Sequence, residues 1–463
     1  MLFNSFKFLI FFPLICIVYF LLPYKYRNVF LLIASYYFYM NWEPVYAILI
    51  FFSSLTTYLV AQKIGSTTNN SFRKGLLVGN LVVNFGILFV FKYYNFLTES
   101  IFEALQLFGM RMQIPKFQLL LPVGISFYTF QAIGYTIDVY RKSISVEKRF
   151  VNYMLFVSFF PQLVAGPIER AKNLLPQFRT QYDFDYERAI SGIKQMLWGF
   201  FMKVVVADRV SIYVDAVFDN YSNHSGSSLL LASLLFAIQI YCDFAGYSNI
   251  AIGAARIMGF DLMENFRRPY FATSFKEFWK RWHISLSTWF GDYVYIPLGG
   301  NRVTKTRHYR NLVITFLVSG MWHGANWTFL MWGGLHGIYL IGELLAKSFF
   351  LKLGRVFNWF VTIVGVVLGW IFFRAESIDV AFSVIHRILF KQGPLFLDKT
   401  TLSYGFLGVI ILLLKDFIDE FYSDFAITIG QNTIARYAYV LSLTCAILLI
   451  GVFNGGQFIY FQF

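Results

Sequence analysis

The chain has 463 residues, 57% of them hydrophobic and 14% charged. A soluble chain of this length carries about 25% charged residues, so the apolar surplus excludes a set of soluble domains and predicts one all-α polytopic membrane domain spanning residues 1–463. The formal net charge of +14 reads as Lys and Arg gathered in cytoplasmic loops, with attraction of a phosphate-bearing ligand as a second use; nucleic acid is excluded by so apolar a chain.

Apolar runs of about 20 residues, the length that crosses a bilayer, fall at 4–22, 28–42, 45–62, 75–96, 118–139, 190–218, 228–254, 311–346, 357–374, 402–418 and 434–454. The first, Phe8 to Leu22, is long and no small-x-small cleavage site follows it, which predicts a retained span with its N-terminus outside. Residues 28–62 break at Glu43-Pro44, predicting two helices and a turn. Residues 97–117 read as an external loop. The short run 150–168 ends in Pro and Gly and reads as re-entrant, a conformation that needs surrounding protein or a water-filled cavity. Lys25, Arg27, Lys63, Arg73, Lys74, Arg141, Lys142, Lys148 and Arg149 mark cytoplasmic segments, whereas "NYSNHSGSS" (220–228) has no Lys or Arg and reads as external.

Residues 264–311 hold nine Lys or Arg against three acids, Glu264, Glu277 and Asp292, and should be cytoplasmic. Within them "FKEFWKRWHISLSTWF" (275–290) puts Phe278, Trp282, Leu286 and Trp289 at helical spacing, predicting an amphipathic helix at a membrane surface. "GDYVYIPLGGNR" (291–302) carries a Gly-Gly turn signal beside Arg302. Cys16, Cys242 and Cys445 lie far apart with no CxxC spacing, so neither a disulfide framework nor a metal site is expected.

Six histidines are present. His224, His308 and His386 sit in polar or basic surroundings and read as solvated or interfacial. His323, in "SGMWHGANW", is bracketed by apolar sequence, and His283 adjoins the apolar stripe. An ionisable group at membrane depth is costly and therefore a candidate for function; histidine is also the usual general base near neutral pH. The competing reading of His323 is a ring bonded to a helix carbonyl, and that of His283 an interfacial residue. Gly320 and Gly324 allow a bend or a close helix contact beside His323, and leave room for reactants. Asn326 and Trp327 add an amide and an indole N–H. His336, among Gly333, Gly334 and Gly337, reads as a helix-packing residue. Asp243, in "YCDFAGYSNIAIG" (241–253), needs a buried partner: a basic residue, or a histidine that it orients. No Walker loop, GxGxxG, GxSxG or HExxH is present, which removes nucleotide-driven pumps, nucleophile-elbow hydrolases and zinc proteases from consideration.

"RPYFATSFKEFWKRWHISLSTWFGDYVYIPLGGNR" (268–302), followed by "SGMWHGANWTFLMWGGLHG" (319–337), resembles the membrane-bound O-acyltransferase (MBOAT) superfamily, most closely its alginate O-acetyltransferase branch. "LPVGISFYTFQAIGYTIDVYR" (121–141), "FFPQLVAGPIER" (159–170), "YCDFAGYSNIAIGAARIMGFDLMENFRRPY" (241–270) and the terminal "FIYFQF" extend the resemblance over the whole chain, with its core motifs in 119–350. It implies 10–12 transmembrane or re-entrant helices around a central funnel, and transfer of an acyl group from a thioester to a hydroxyl. His323 matches the family's catalytic histidine and His283 its second important one. Within the branch the donor is acetyl-CoA on the cytoplasmic side, no cofactor or metal is bound, and the acetyl group passes through the bacterial cytoplasmic membrane to an extracytoplasmic polysaccharide, commonly through a periplasmic or cell-surface partner protein. Oxyanion or tunnel candidates are His283, Asn326, Trp322, Trp282, Trp327 and Asp243; donor-binding candidates are Arg281, Lys280 and Arg302. A D-alanyl transferase of teichoic-acid type and a non-catalytic transporter or flippase are the alternatives.

Overall fold

In the computed structural model every regular element among the described residues is a helix. The structure describes residues 1–110, 115, 117, 120–164, 166–422, 424 and 432–453; "FIYFQF" and part of the 97–117 loop lie outside them. Among the described residues six helices are long and apolar enough to cross a membrane: Pro44–Ser66, Asn70–Leu107, Gly226–Ile257, Arg355–Arg374, Lys399–Phe421 and Thr433–Ile450. Phe6–Leu21 and Phe150–Leu163 are shorter apolar helices. The polytopic all-helical expectation holds, but several predicted spans are not clean crossings. Tyr24–Met40 and Ile125–Tyr140 have only 17 and 16 residues. The 190–218 run is interrupted by a π-helical turn, Phe201–Ala207, around Lys203. The 311–346 run is two helices, Lys305–His323 and Trp327–Leu345. The fourth predicted span continues to Leu107, into the stretch read as an external loop.

The chain divides into two compact units, residues 1–192 with 254–263, and residues 193–253 with 264–463. In the first, a polar ladder joins three helices. Ser53 donates to Asn84 Oδ1 (2.6 Å), Asn84 Nδ2 to Asn80 Oδ1 (3.1 Å), and Asn80 Nδ2 to Thr136 Oγ1 (3.0 Å). In apolar surroundings such bonds fix helix register, because the alternative is an unpaired amide in hydrocarbon. The segment read as re-entrant is buried and bends at Phe159 between Phe150–Ser158 and Phe160–Leu163. Ser35 Oγ accepts the Phe160 N–H freed by the bend, at 3.1 Å. Gly124 (φ +75°) is required opposite it, since a Cβ there would lie 2.6 Å from the Leu163 carbonyl oxygen. Arg27, read as a loop charge, is buried, with its guanidinium donating to the carbonyls of Phe20, Leu22 and Tyr182.

The second unit is built on the 32-residue helix Gly226–Ile257. Gly246 on this helix meets Gly199, where a Cβ on either would lie within 2.8 Å of the other's carbonyl oxygen. One turn earlier in the chain, Asp243 pairs with Lys203 Nζ at 2.6 Å, and Asp208 pairs with the same ammonium at 2.8 Å. All three side chains are buried. Removing one member of a buried ion cluster leaves uncompensated charge and costs about 3–5 kcal/mol. Lys203→Met should therefore lower the thermal unfolding midpoint in detergent sharply; an unchanged midpoint would show that the two carboxylates do not depend on this lysine.

Candidate active site

The segment 275–290 does not form the single surface helix that its spacing predicts. It is two short helices, Phe275–Arg281 and Ile284–Phe290, with a break at Trp282 and His283. Ser274 caps the first by accepting the Glu277 N–H (3.1 Å). At the break His283 adopts φ +42°, ψ 55°, the left-handed region that a non-glycine residue rarely occupies. Such strain costs about 1–3 kcal/mol and persists only where surrounding structure over-determines it. The clamp is the chain at 265–267: Arg267 N–H donates to the Arg281 carbonyl (2.8 Å) and Ile284 N–H to the Asn265 carbonyl (2.9 Å). The predicted stripe of Phe278, Trp282, Leu286 and Trp289 is almost fully buried. It packs into protein, because the break turns the segment inward.

His323 is the last residue of the Lys305–His323 helix. That helix packs on Trp327–Leu345 at glycine-limited distance. A Cβ on Gly320 would lie 2.2 Å from the Phe329 carbonyl oxygen, one on Gly333 2.3 Å from that of Phe316, and one on Gly324 2.0 Å from the Phe329 ring. The glycines beside His323 thus serve helix contact, and the space expected there for reactants is filled by the neighbouring helix.

The two histidines are brought together across one indole. The His283 ring is 5.9 Å from Trp322 and the His323 ring 5.0 Å from the same side chain. Trp332 (4.9 Å) and Phe373 (5.4 Å) meet the His323 ring edge-on. Phe244 stands at 4.6 Å from His283. Both imidazoles are buried, at 0% and 2% exposure, in an aromatic enclosure of low dielectric. Burial pushes the His283 imidazole well below the ordinary histidine range, which keeps the ring neutral. His323 also sits at the C-terminus of its helix, where the helix dipole favours positive charge.

The other predicted residues separate. Trp322 lies between the histidines, as described. Trp282 is buried but stacks on Phe278 (5.5 Å) and packs against Trp370 (4.9 Å). Asn326 caps the following helix, accepting the Thr328 N–H (2.9 Å) and donating to the Glu376 carbonyl (3.0 Å). Trp327 is half exposed. Asp243 faces Lys203, as above. His336 accepts from the Trp279 indole N–H at Nδ1 (3.3 Å), consistent with a packing role.

Arg281 is not available to an anion. Its Nε and Nη2 donate to Glu277, Nη1 and Nη2 to Glu420, and Nη1 also to the Arg268 carbonyl. Burial alone would raise the Glu277 carboxyl, but hydrogen bonds from Thr273 and Arg281 outweigh it and hold it below its ordinary value. Arg302 is exposed after a turn in which Gly299 (φ +102°) and Gly300 (φ +56°) supply the positive φ that the Gly-Gly pair predicted. Lys280, by contrast, lines a cavity of about 600 Å³ together with Lys276, Trp279, His308, Glu343 and Ser319. Ser319 lies one helical turn before His323 in the same helix. A cavity of this size suits a cofactor-sized ligand.

Three residues that matter here carried no local signal, Asn265, Ser285 and Lys203, and each acts through a partner distant in sequence; Trp332 lies in the quoted motif around His323 but was not singled out. The Trp332 indole nitrogen is buried and has no hydrogen-bond partner among the described residues, while its ring touches His323. Among the described residues there is no cluster of His, Cys, Asp and Glu able to hold a metal ion.

Residues 139–385 match the family described as MBOAT, membrane-bound O-acyltransferase family. The chain is 38% identical to the probable alginate O-acetylase AlgI of Pseudomonas aeruginosa over 91% of this chain and 82% of that protein. It is 36% identical to the protein of the same name from Pseudomonas putida over 99% of both. It is 35% identical to the peptidoglycan O-acetyltransferase of Helicobacter pylori over 78% of this chain and 74% of that one.

Proposed function

The chain belongs to the membrane-bound O-acyltransferase family, and from that premise we propose that it takes an acetyl group from acetyl-CoA on the cytoplasmic side of a bacterial cytoplasmic membrane and passes it outward for O-acetylation of an extracytoplasmic polysaccharide. The acceptor is of the kind its relatives are named for, alginate or peptidoglycan, and is reached through a periplasmic or cell-surface partner protein. The observation that carries this reading is the pair of buried histidines on either side of Trp322.

The chemistry uses this chain's residues as follows. Neutral His323 accepts the proton of an attacking hydroxyl, and the hydroxyl oxygen bonds to the thioester carbonyl carbon. The tetrahedral oxyanion collapses, the C–S bond breaks, and the thiolate leaves. A positioned general base contributes about 10²–10⁴-fold, and a preorganised donor to the oxyanion about 3–4 kcal/mol more. Trp332, whose ring meets that of His323 at 4.9 Å, is the candidate for that second role. The cavity lined by Lys276 and Lys280 is the approach for the donor, with both ammonium groups on its phosphates.

The test is membranes containing the protein and its cellular partners, given acetyl-CoA labelled in the acetyl carbon. Label should appear on polysaccharide with release of free CoA thiol. Movement of a solute with no thiol release would make the protein a transporter instead. Because Arg281 is consumed by Glu277 and Glu420, Lys280→Ala should raise the KM for acetyl-CoA several-fold with little change in stability. Arg281→Ala should instead lower the unfolding midpoint and leave KM near wild type. The reverse pattern would return the donor site to Arg281.

A further inference from the structure

We propose that Asn265 is the positioning residue for His283, holding its ring in the Nδ1–H form so that Nε2 is left as a proton acceptor. The proposal rests on the acyl-transfer reading and deepens it. Asn265 is 1% exposed, and its side chain makes four contacts. Nδ2 donates to Ser248 Oγ at 3.1 Å on the long helix. Oδ1 accepts from the Ser285 backbone N–H (3.3 Å) and the Ser285 hydroxyl (2.8 Å), and lies 3.0 Å from His283 Nδ1.

The direction of that last bond follows from the others. A backbone N–H can only donate, so the Asn265 atom facing Ser285 is its oxygen, and the amide cannot be flipped. An amide oxygen can only accept. A neutral His283 must then carry its proton on Nδ1, and Nε2 presents a lone pair. In this form Nε2 cannot donate to an oxyanion, so the oxyanion role left open for His283 by the sequence is removed and a proton-accepting role remains. The same residue holds the backbone: its carbonyl accepts the Ile284 N–H, which helps keep His283 at φ +42°. Asn265 thus sets both where the ring points and which nitrogen reacts. Ser285 Oγ lies 3.4 Å from the same Nδ1, and with its own proton given to Asn265 Oδ1 it too faces Nδ1 as an acceptor; the other groups packed on the ring are aromatic, Phe244, Phe266 and Trp322, and the charge adjoining them in the chain, Asp243, is ion-paired with Lys203.

The experiment uses the full chain in its native membranes, with thiol release from acetyl-CoA as the readout and the rate of H323Q membranes subtracted. Asn265→Ala should lower the rate by about 100-fold, the scale of an ångström-level misplacement. In a His283→Ala background the same substitution should cost nothing further, because Asn265 acts through that ring. Asn265→Asp keeps the acceptor and adds a negative charge, so it should retain more activity than Asn265→Ala. Its acidic limb in the pH–rate profile should move to higher pH by about 1 unit or more, since a carboxylate favours the protonated imidazole. Wild-type rates in Asn265→Ala, an undiminished effect of Asn265→Ala without His283, or an unmoved acidic limb in Asn265→Asp would each overturn the assignment while leaving the acyl-transfer reading standing. Full thiol release by both H323Q and His283→Ala membranes would overturn that reading and the assignment with it.

Discussion

His323→Gln should reduce acetyl transfer to polysaccharide by about 10²–10⁴-fold, the contribution of a positioned general base, without changing membrane insertion or the unfolding midpoint. Glutamine has a volume close to that of histidine and keeps polar atoms at the end of the Lys305–His323 helix, but it takes up no proton near neutral pH. The ring is 2% exposed and meets Trp322, Trp332 and Phe373 edge-on, so a purely structural role would appear as lost stability. Loss of transfer at unchanged stability assigns the chemistry to the imidazole; normal acetate content of the polymer would remove His323 from the mechanism. The labelled-acetyl assay and a thermal melt in detergent, run on the same preparation, separate the two outcomes.

Gly320→Ala should be nearly as damaging, although it adds one methyl group and removes no chemistry. The new Cβ would fall 2.2 Å from the Phe329 carbonyl oxygen and 3.5 Å from the Gly333 Cα. Backbone cannot yield as a flexible side chain can, so the Lys305–His323 and Trp327–Leu345 helices must separate. Overpacking of this kind costs about 1–3 kcal/mol. Trp322 and His323, less than one turn further on, move with the helix, and positional error of about 1 Å can cost 10²-fold in rate. Gly342→Ala is the control on the partner helix. Nothing lies within 4 Å of its Cβ position, and alanine there gains about 0.5–1 kcal/mol of helix propensity. Equal activity of the two variants would show that the close approach at Gly320 does not position the site.

The residues proposed to do the chemistry were legible for a simple reason. Membrane burial of an ionisable group is expensive, so His323 within apolar sequence stood out, and the paired motifs around His283 and His323 identified the family. The residues that aim the chemistry were not legible. Asn265 lies 18 positions before His283 in a run, "ENFRRPY", that has no periodicity of its own. Lys203 lies 40 positions before Asp243. The amphipathic spacing of 275–290 was real, but periodicity measures which positions face an apolar surface and is silent about what that surface is. A clamp from residues 265–267 breaks the helix at His283 and turns the stripe into protein.

By itself, the sequence determined that this is an all-helical membrane protein, that His283 and His323 are its reactive candidates, and that it holds no Walker, GxSxG or HExxH motif. These follow from composition, local spacing and the cost of placing charge in lipid, all of which act residue by residue. Only the tertiary structure decided that Arg281 is consumed by Glu277 and Glu420 while Lys280 lines a cavity, that the glycines beside His323 are contact surfaces, and that Asn265 orients His283. Those facts depend on pairs of groups brought together from distant parts of the chain, and hydrogen-bond direction and van der Waals exclusion operate only once the groups have met.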